Sequence, residues 1–437
     1  MTGAGSGCKP SIATGDRVNA AAHGSPDAGA GRPRATGDAS LSLADDGAWC
    51  WFQDPRAVYV ERQHERTYAG WITARGSLEV GACDHRTGEV QRHALSGACL
   101  PDDHDSCSLL ARDDGRLMAF YARHNQTGLH CRTTTWPEDI TAWDEEVTVA
   151  NTPRTTYSHP VFLRDEGRFY AFWRGEEWKP VFATSGDGIT WTPPRMLVRE
   201  RGREGGNIRP YIKIVADGRS AIHFAVTNGH PRNEPKNSVH YFRYERGGFF
   251  RADGTQIGNP QSLPLSLGDC DVVHDGKGTG IRAWIWDIAL DAQGRPWIAY
   301  TRLPTTSDHR YCWARWDGRH WSGGEITPAG RWFPQTPLWR REREPHYSGG
   351  IAFKHADPSI LYVSRRIRGV FEIEKWIATD AGRTWTSTPI TRDSVHDNVR
   401  PVVPRGYAKE SDLVLWMHGR YVHYTDFRTG IRVLATR

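Results

Sequence analysis

The chain has 437 residues, 38% of them hydrophobic, 11% aromatic and 24% charged, enough apolar material to build a core. Nineteen Trp, 45 Gly and 26 Pro argue against a helical bundle, and the absence of any apolar run of about 18 residues excludes a membrane-spanning helix. A net charge of only +5 without a Lys/Arg-rich block argues against nucleic acid, while 48 of the 56 basic residues are Arg, whose planar fork suits an anionic ligand.

Residues 1–44 are rich in Ala, Gly, Ser and Asp and read as a disordered leader, with no apolar stretch of the secretory type. Eight Cys, at 8, 50, 83, 99, 107, 131, 270 and 312, include no Cys-x-x-Cys or zinc-finger spacing, so buried thiols are expected.

From about residue 45 a hairpin pattern recurs: a short apolar strand, a turn, then a second aromatic-rich strand. In chain order the pairs are Pro55–Val60 with Arg66–Ile72, Ser106–Ala111 with Gly115–Tyr121, Pro160–Leu163 with Gly167–Trp173, and Pro210–Val215 with Gly218–Phe224. Trp286–Leu290 with Gly294–Tyr300, Ser348–Phe353 with Pro358–Val363, and Val399–Val403 with Ser411–Trp416 complete seven. Seven hairpins at this pitch predict an all-β, seven-bladed β-propeller over residues 45–437. A β-helix would need a period of roughly 20–30 residues, and a sandwich would not explain the repetition. Two degenerate Asp-box turns, Ser185–Trp191 and Asp380–Trp385, fit the same fold, with Trp packing as their expected role.

In a propeller the residues before the first strand and after the second strand of each blade meet around the axis. The second blade offers Asp102, Asp103, His104 and Asp105, then His124; the third Tyr157 and Arg174; the fourth Asn207, Arg209, Tyr211 and His230. The sixth offers Arg343, His346, Tyr347 and Arg365, the seventh Asn398 and Arg400. This set is rich in Arg, His and Tyr but lacks the flanking carboxylate pair of ordinary glycoside hydrolases. It suits a lyase acting on a uronate, which needs a cation to neutralise the carboxylate, a base for the C5 proton and an acid for the leaving oxygen. The three clustered Asp are expected to hold the loop or an ion. Cys270, Asp271, His274, His309 and Cys312 offer metal-ligand types, but no spacing that fixes a geometry.

The segments Trp49–Arg56, Asp102–Asp105, Tyr157–Pro160, Arg209–Tyr211, Asn228–Pro235, Arg343–Gly350 and Asp397–Pro404 together resemble the BNR-repeat propeller proteins that include ulvan lyases and rhamnosyl-glucuronate lyases. The resemblance spans about residues 45 to 437. It implies a site on one face over the channel, with two His 20 residues apart on one hairpin, matched by His104 and His124. It also implies a Tyr and an Arg on the next blade, matched by Tyr157 and Arg174, with Tyr170 as the alternative Tyr.

On this resemblance the expected activity is β-elimination at a rhamnose–uronic acid linkage in an anionic polysaccharide or oligosaccharide. Arg174, alone or with Arg209, would neutralise the carboxylate, His124 act as base, Tyr157 protonate the leaving oxygen or serve as both acid and base, and His104 orient His124 or bind sugar. Arg209, Tyr211, His230, Arg365, Asn398 and Arg400 would bind neighbouring groups. No cofactor is required, though a structural Ca²⁺ or Zn²⁺ would be compatible, and neither nucleic acid nor membrane is an expected partner. Related propellers hydrolyse terminal rhamnose, so a hydrolase is the alternative, followed by a non-catalytic sugar-binding propeller. The resemblance implies secretion, although no signal peptide is seen.

Overall fold

The computed structural model describes residues 40–97, 99–199, 208–331, 344 and 349–436. The described residues form seven antiparallel sheets in a ring, the seven-bladed β-propeller that the repeat predicts. The first strands of the blades are Ala57–Glu61, Ser108–Ala111, Thr156–Leu163, Tyr211–Ala216, Arg282–Leu290, Ile351–Phe353 and Asp397–Val402. They touch one another from blade to blade and so line the axis. Each pairs with the strand that follows it in sequence, and further strands extend the sheet outward.

Two blades depart from the simple pattern. Blade four carries an extra outer hairpin, Gly248–Phe250 with Gln256–Gly258, and a strand Asp271–His274 that pairs with Val239–Glu245. Blade seven takes its outermost strand from the other end of the ring: Leu41–Ala44 pairs antiparallel with Asp426–Ala435. The propeller therefore starts at Leu41, inside the segment expected to be a leader. Four residues of alternating pattern beside an Ala/Gly-rich stretch are too few to stand out as a strand.

The seams between blades are filled by rings and branched aliphatic side chains. In the first Asp-box turn, Asp187 Oδ1 accepts the N–H groups of Ile189 and Thr190, both at 2.7 Å. That turn delivers Trp191 edge-on to Phe120 of the preceding blade, ring centroids 5.8 Å apart. At the second turn a Cβ on Gly382 (φ 96°) would stand 2.6 Å from the Trp313 ring, so only glycine lets the turn approach blade five this closely. Each such side chain, fully buried, contributes about 1.5–3 kcal/mol.

The seven described Cys are free thiols, six of them buried; Cys8 lies outside the described residues. No described helix is long and apolar enough to cross a membrane.

Candidate active site

Antiparallel pairing brings the start of a blade's first strand beside the end of its second. Thr156 is registered with Arg174, and Tyr211 with Thr227. Residues flanking these positions in successive blades therefore share one face of the ring. His104, His124, Tyr157, Arg174, Arg209, Tyr211 and His230 all arrive there by this route.

At its centre is Asp102, the N-cap of a short 3₁₀ turn, Asp103–Asp105. Its Oδ1 accepts from His104 Nδ1 at 2.7 Å, and its Oδ2 from His124 Nδ1 at 2.8 Å. The two imidazoles stack 4.0 Å apart at an interplanar angle of 5°. The neighbouring acids do different work. Asp103 Oδ1 lies 2.9 Å from His104 Nδ1, and Asp105 Oδ1 accepts the His124 backbone N–H at 2.6 Å. Three adjacent carboxylates thus fix the two histidines from below and from the side.

The environments of the two rings differ in charge. Burial, then the neighbouring His104, push the His124 pKa down to about 4, against the pull of Asp102. Burial alone would lower the His104 pKa as well, but the carboxylates of Asp102 and Asp103 beside it outweigh burial and hold it well above the ordinary value. His104 is therefore an imidazolium near neutrality and His124 a neutral ring. With Nδ1–H of His124 committed to Asp102, its Nε2 is an acceptor. Burial of Asp102 opposes ionisation, yet the two histidines keep it below the usual carboxylate range.

Tyr157 closes the next side, its ring 5.4 Å from that of His104. It holds a positive φ of 63°, a strained conformation for an aromatic residue and one that clusters at functional sites. Burial raises its pKa well above the ordinary value, so the phenol keeps its proton. Arg174 lies over this ring, 4.5 Å from its centroid, and donates to Asn125 Oδ1 at 3.0 Å and Thr156 Oγ1 at 3.2 Å. A longer contact, 3.4 Å, reaches Tyr211 Oη. Its Nε is buried with no hydrogen-bond partner, and among the described residues no carboxylate pairs with Arg174. Phe52 and Trp284 pack beneath: Phe52 lies 5.4 Å from Tyr157 and 4.6 Å from Tyr211, and Trp284 5.7 Å from Tyr211.

Of the other expected contacts, Tyr211 and His230 belong to this wall, His230 packing 4.4 Å from Trp284. Arg209 stands at its edge, its guanidinium 4.1 Å above the Trp178 ring. Tyr170, the alternative to Tyr157, is elsewhere, donating to Glu166 at 2.5 Å in the seam between blades three and four.

Three expected substrate contacts are taken up within the protein. Arg365 forms a two-point pair with Glu374 at 2.5 and 3.1 Å. Asn398 is fully buried, its Oδ1 accepting from Trp416 and its Nδ2 donating to Glu372. Arg400, 1% exposed, donates to Asp103 at 2.5 Å, Glu344 at 2.9 Å and the Trp49 carbonyl at 2.7 Å, sandwiched between Trp51 and Tyr421. It supports the histidine pair through Asp103. Asn207, Arg343, His346 and Tyr347 lie outside the described residues.

Asp102, His104 and His124 have ligand atoms within 4.8 Å of one another, as do Cys50, Asp103 and His104, close enough to hold an ion. In the first group those atoms already satisfy each other. Among the described residues Cys270, Asp271, His274, His309 and Cys312 do not assemble into such a group.

Asn125 belongs to the same hairpin end of blade two as His124, but its role as the acceptor for Arg174, that of Asp102 as the shared anchor, and the ring floor of Phe52 and Trp284 are not legible in the sequence.

Among solved structures, an ulvan lyase of family PL25 bound to -[GlcA(1-4)Rha3S]- superposes with a TM-score of 0.68 at 17% identity, covering 91% of this chain and 96% of that one. The polysaccharide lyase Uly1 superposes with a TM-score of 0.56 at 11% identity, covering 90% and 97%. At these identities the likeness is one of fold. No curated protein matches the sequence. The model of the BNR repeat-containing family matches residues 66–328, more than half of the chain, and the protein belongs to that family.

Proposed function

We propose that this protein is a lyase that cleaves a rhamnose–uronic acid linkage by β-elimination. The observation that carries the reading is Arg174: a buried guanidinium with a free Nε–H and no carboxylate partner, placed against a neutral His and a protonated Tyr. A buried cation without a counter-ion is a receptacle for an anionic group. A uronate carboxylate seated there is neutralised, and its C5 proton becomes acidic. Nε2 of His124 takes that proton, the C4–O bond breaks as the C4=C5 double bond forms, and the Tyr157 hydroxyl protonates the departing oxygen. His104 and Asp102 position His124; Arg209, Tyr211 and His230 line the way for neighbouring sugars. The fold likeness to ulvan lyases supports the same reading.

A base with a pKa near 4 is weak before substrate arrives. Arg174 is one of the groups that depress it. A carboxylate bound to Arg174 cancels that influence, so His124 becomes more basic when the substrate is in place.

The test is incubation of the protein with ulvan, gum arabic and rhamnosyl-glucuronate oligomers, with mass analysis and ultraviolet absorbance of products. An unsaturated uronate supports the lyase. Free rhamnose without that absorbance establishes the hydrolase instead, and binding with no product establishes a sugar-binding module.

A further inference from the structure

The wall of the site continues into a rim that carries two more cations on one ring. Arg154 stands three residues before Tyr157, Trp178 four after Arg174, and Arg209 two before Tyr211. The Arg154 guanidinium lies 3.9 Å from the centroid of the Trp178 ring, and that of Arg209 lies 4.1 Å from it. One indole thus seats two like charges beside the pocket of Arg174. Arg154 is exposed, and Trp178 and Arg209 are half-buried, so the pair can be reached from solvent.

The rim is fixed to the site by backbone bonds. The Thr155 carbonyl accepts the Asn125 N–H at 3.1 Å, and the Thr155 N–H donates to the Gln126 carbonyl at 2.9 Å, which ties the Arg154 turn to the residues after His124. In the Trp178 turn the Trp178 N–H donates to the Gly175 carbonyl at 2.9 Å, and the Gly175 N–H to that of Lys179 at 3.0 Å. Lys179 Nζ donates to the Ile208 carbonyl and so joins this turn to the residue before Arg209. Arg154, Glu177 and Trp178 hold φ values of 61°, 53° and 55°, a left-handed backbone that side chains of this size rarely adopt. Such strain gathers where a side chain must be aimed, and here it aims a cation and the ring beneath it.

Among the described residues neither acid of the Trp178 turn, Glu176 or Glu177, pairs with Arg154 or Arg209; Glu177 is held by Arg199 at 2.9 Å. Arg154 forms no ion pair with any described residue, and its partner is the ring. An aromatic face attracts a guanidinium without using up its N–H groups, while two like charges at one ring repel. An oxyanion bound beside them accepts from those N–H groups and relieves the repulsion. We propose that, on the lyase reading above, Arg154 and Arg209 seated on Trp178 form a specificity subsite for an oxyanion on the sugar next to the uronate held by Arg174. The oxyanion is a sulfate ester or a second carboxylate. Arg154 selects substrates through binding and takes no part in the chemical step.

The test uses uronate oligomers of equal length in which the neighbouring sugar carries a sulfate ester, a carboxylate or no charge. The full-length wild-type protein should favour one charged chain over the neutral one by roughly tenfold in kcat/KM, the scale of one charge-assisted hydrogen bond, with the difference in KM. The favoured chain identifies the oxyanion. In Arg154→Gln that ratio should fall to near one, whereas loss of a merely structural residue would slow all three chains alike. Calorimetric binding of the same oligomers to His124→Ala separates the subsite from the chemistry. If no chain yields an unsaturated uronate, the lyase reading fails, and the affinity ratio still decides the subsite. Equal affinity for charged and neutral chains, or a preference that survives in Arg154→Gln, overturns the proposal.

Discussion

His104 and His124 lie face to face, 4.0 Å apart, and each places its Nδ1 on a different oxygen of Asp102. One carboxylate thereby holds a charged and a neutral imidazole in register. Two like groups pushed to opposite protonation states are a means of assigning acid and base roles at one pH.

Asp102→Asn should therefore disable the site without unfolding the blade. The amide can donate as well as accept, so the tautomer of His124 is no longer fixed. On the proposed mechanism, turnover should fall about 10²–10⁴-fold, the scale of losing an oriented base. Steady-state rates and imidazole ¹⁵N shifts would report both effects.

His124→Ala should lower turnover by a similar ~10²–10⁴-fold. Arg174→Ala should cost as much or more, and Arg174→Lys should rescue little, because a point charge cannot replace the guanidinium fork. The readout is absorbance of the double bond conjugated to the carboxylate. A His124→Ala protein with near wild-type rates would remove that residue from the mechanism.

The pH profile should carry the signature of the neutral histidine. The base must be unprotonated, so kcat/KM, which reports the free enzyme, should fall as pH drops through about 4, well below an ordinary histidine. The acid limb of kcat should stand at higher pH, since bound carboxylate offsets Arg174 in the complex. Coincident limbs would show that Arg174 does not meet the carboxylate.

Stability should follow other histidines. Burial first of all pushes His223 and His230 down to about 3, and His240 to about 4. Between the unfolded value near ~6.5 and these folded values the unfolded chain binds more protons, so stability is full above the window and is lost as pH falls through it. His104, with its raised pKa, works in the opposite direction. Urea midpoints should accordingly be lower at pH 5 than at pH 7.5.

Arg400→Met should destabilise by about 3–5 kcal/mol, because Asp103 and Glu344 would be left as buried carboxylates without their cation. Arg365→Ala, which leaves the buried Glu374 with Trp376 Nε1 as a remaining donor, should cost less, about 1–3 kcal/mol. Thermal melts distinguish the two.

The propeller was legible because each hairpin is contiguous in sequence and its turn residues repeat. The placement of His104, His124, Tyr157 and Arg174 followed from the same fact, since hairpin ends meet on one face. The roles of the three Asp did not follow. Their directions are set by a single 3₁₀ turn, and Asp102 reaches a ring 22 residues away. Asn398 and Arg400 have the same sequence setting as the residues that converge on that face. What separates them is the cover of Trp51 and Tyr421 over Arg400 and of Trp416 against Asn398, rings distant in sequence.

The strand Leu41–Ala44 gives the molecule an order of assembly. Its partner, Asp426–Ala435, lies at the far end of the chain, so these four residues must wait unpaired while six blades form during synthesis. The last sheet can be completed only after almost the whole propeller has left the ribosome, a contact of very long sequence separation and hence a slow one. Until that moment the strand Asp426–Ala435 has an open edge, the place where a second chain could lend its own Leu41–Ala44 and lock two nascent rings together.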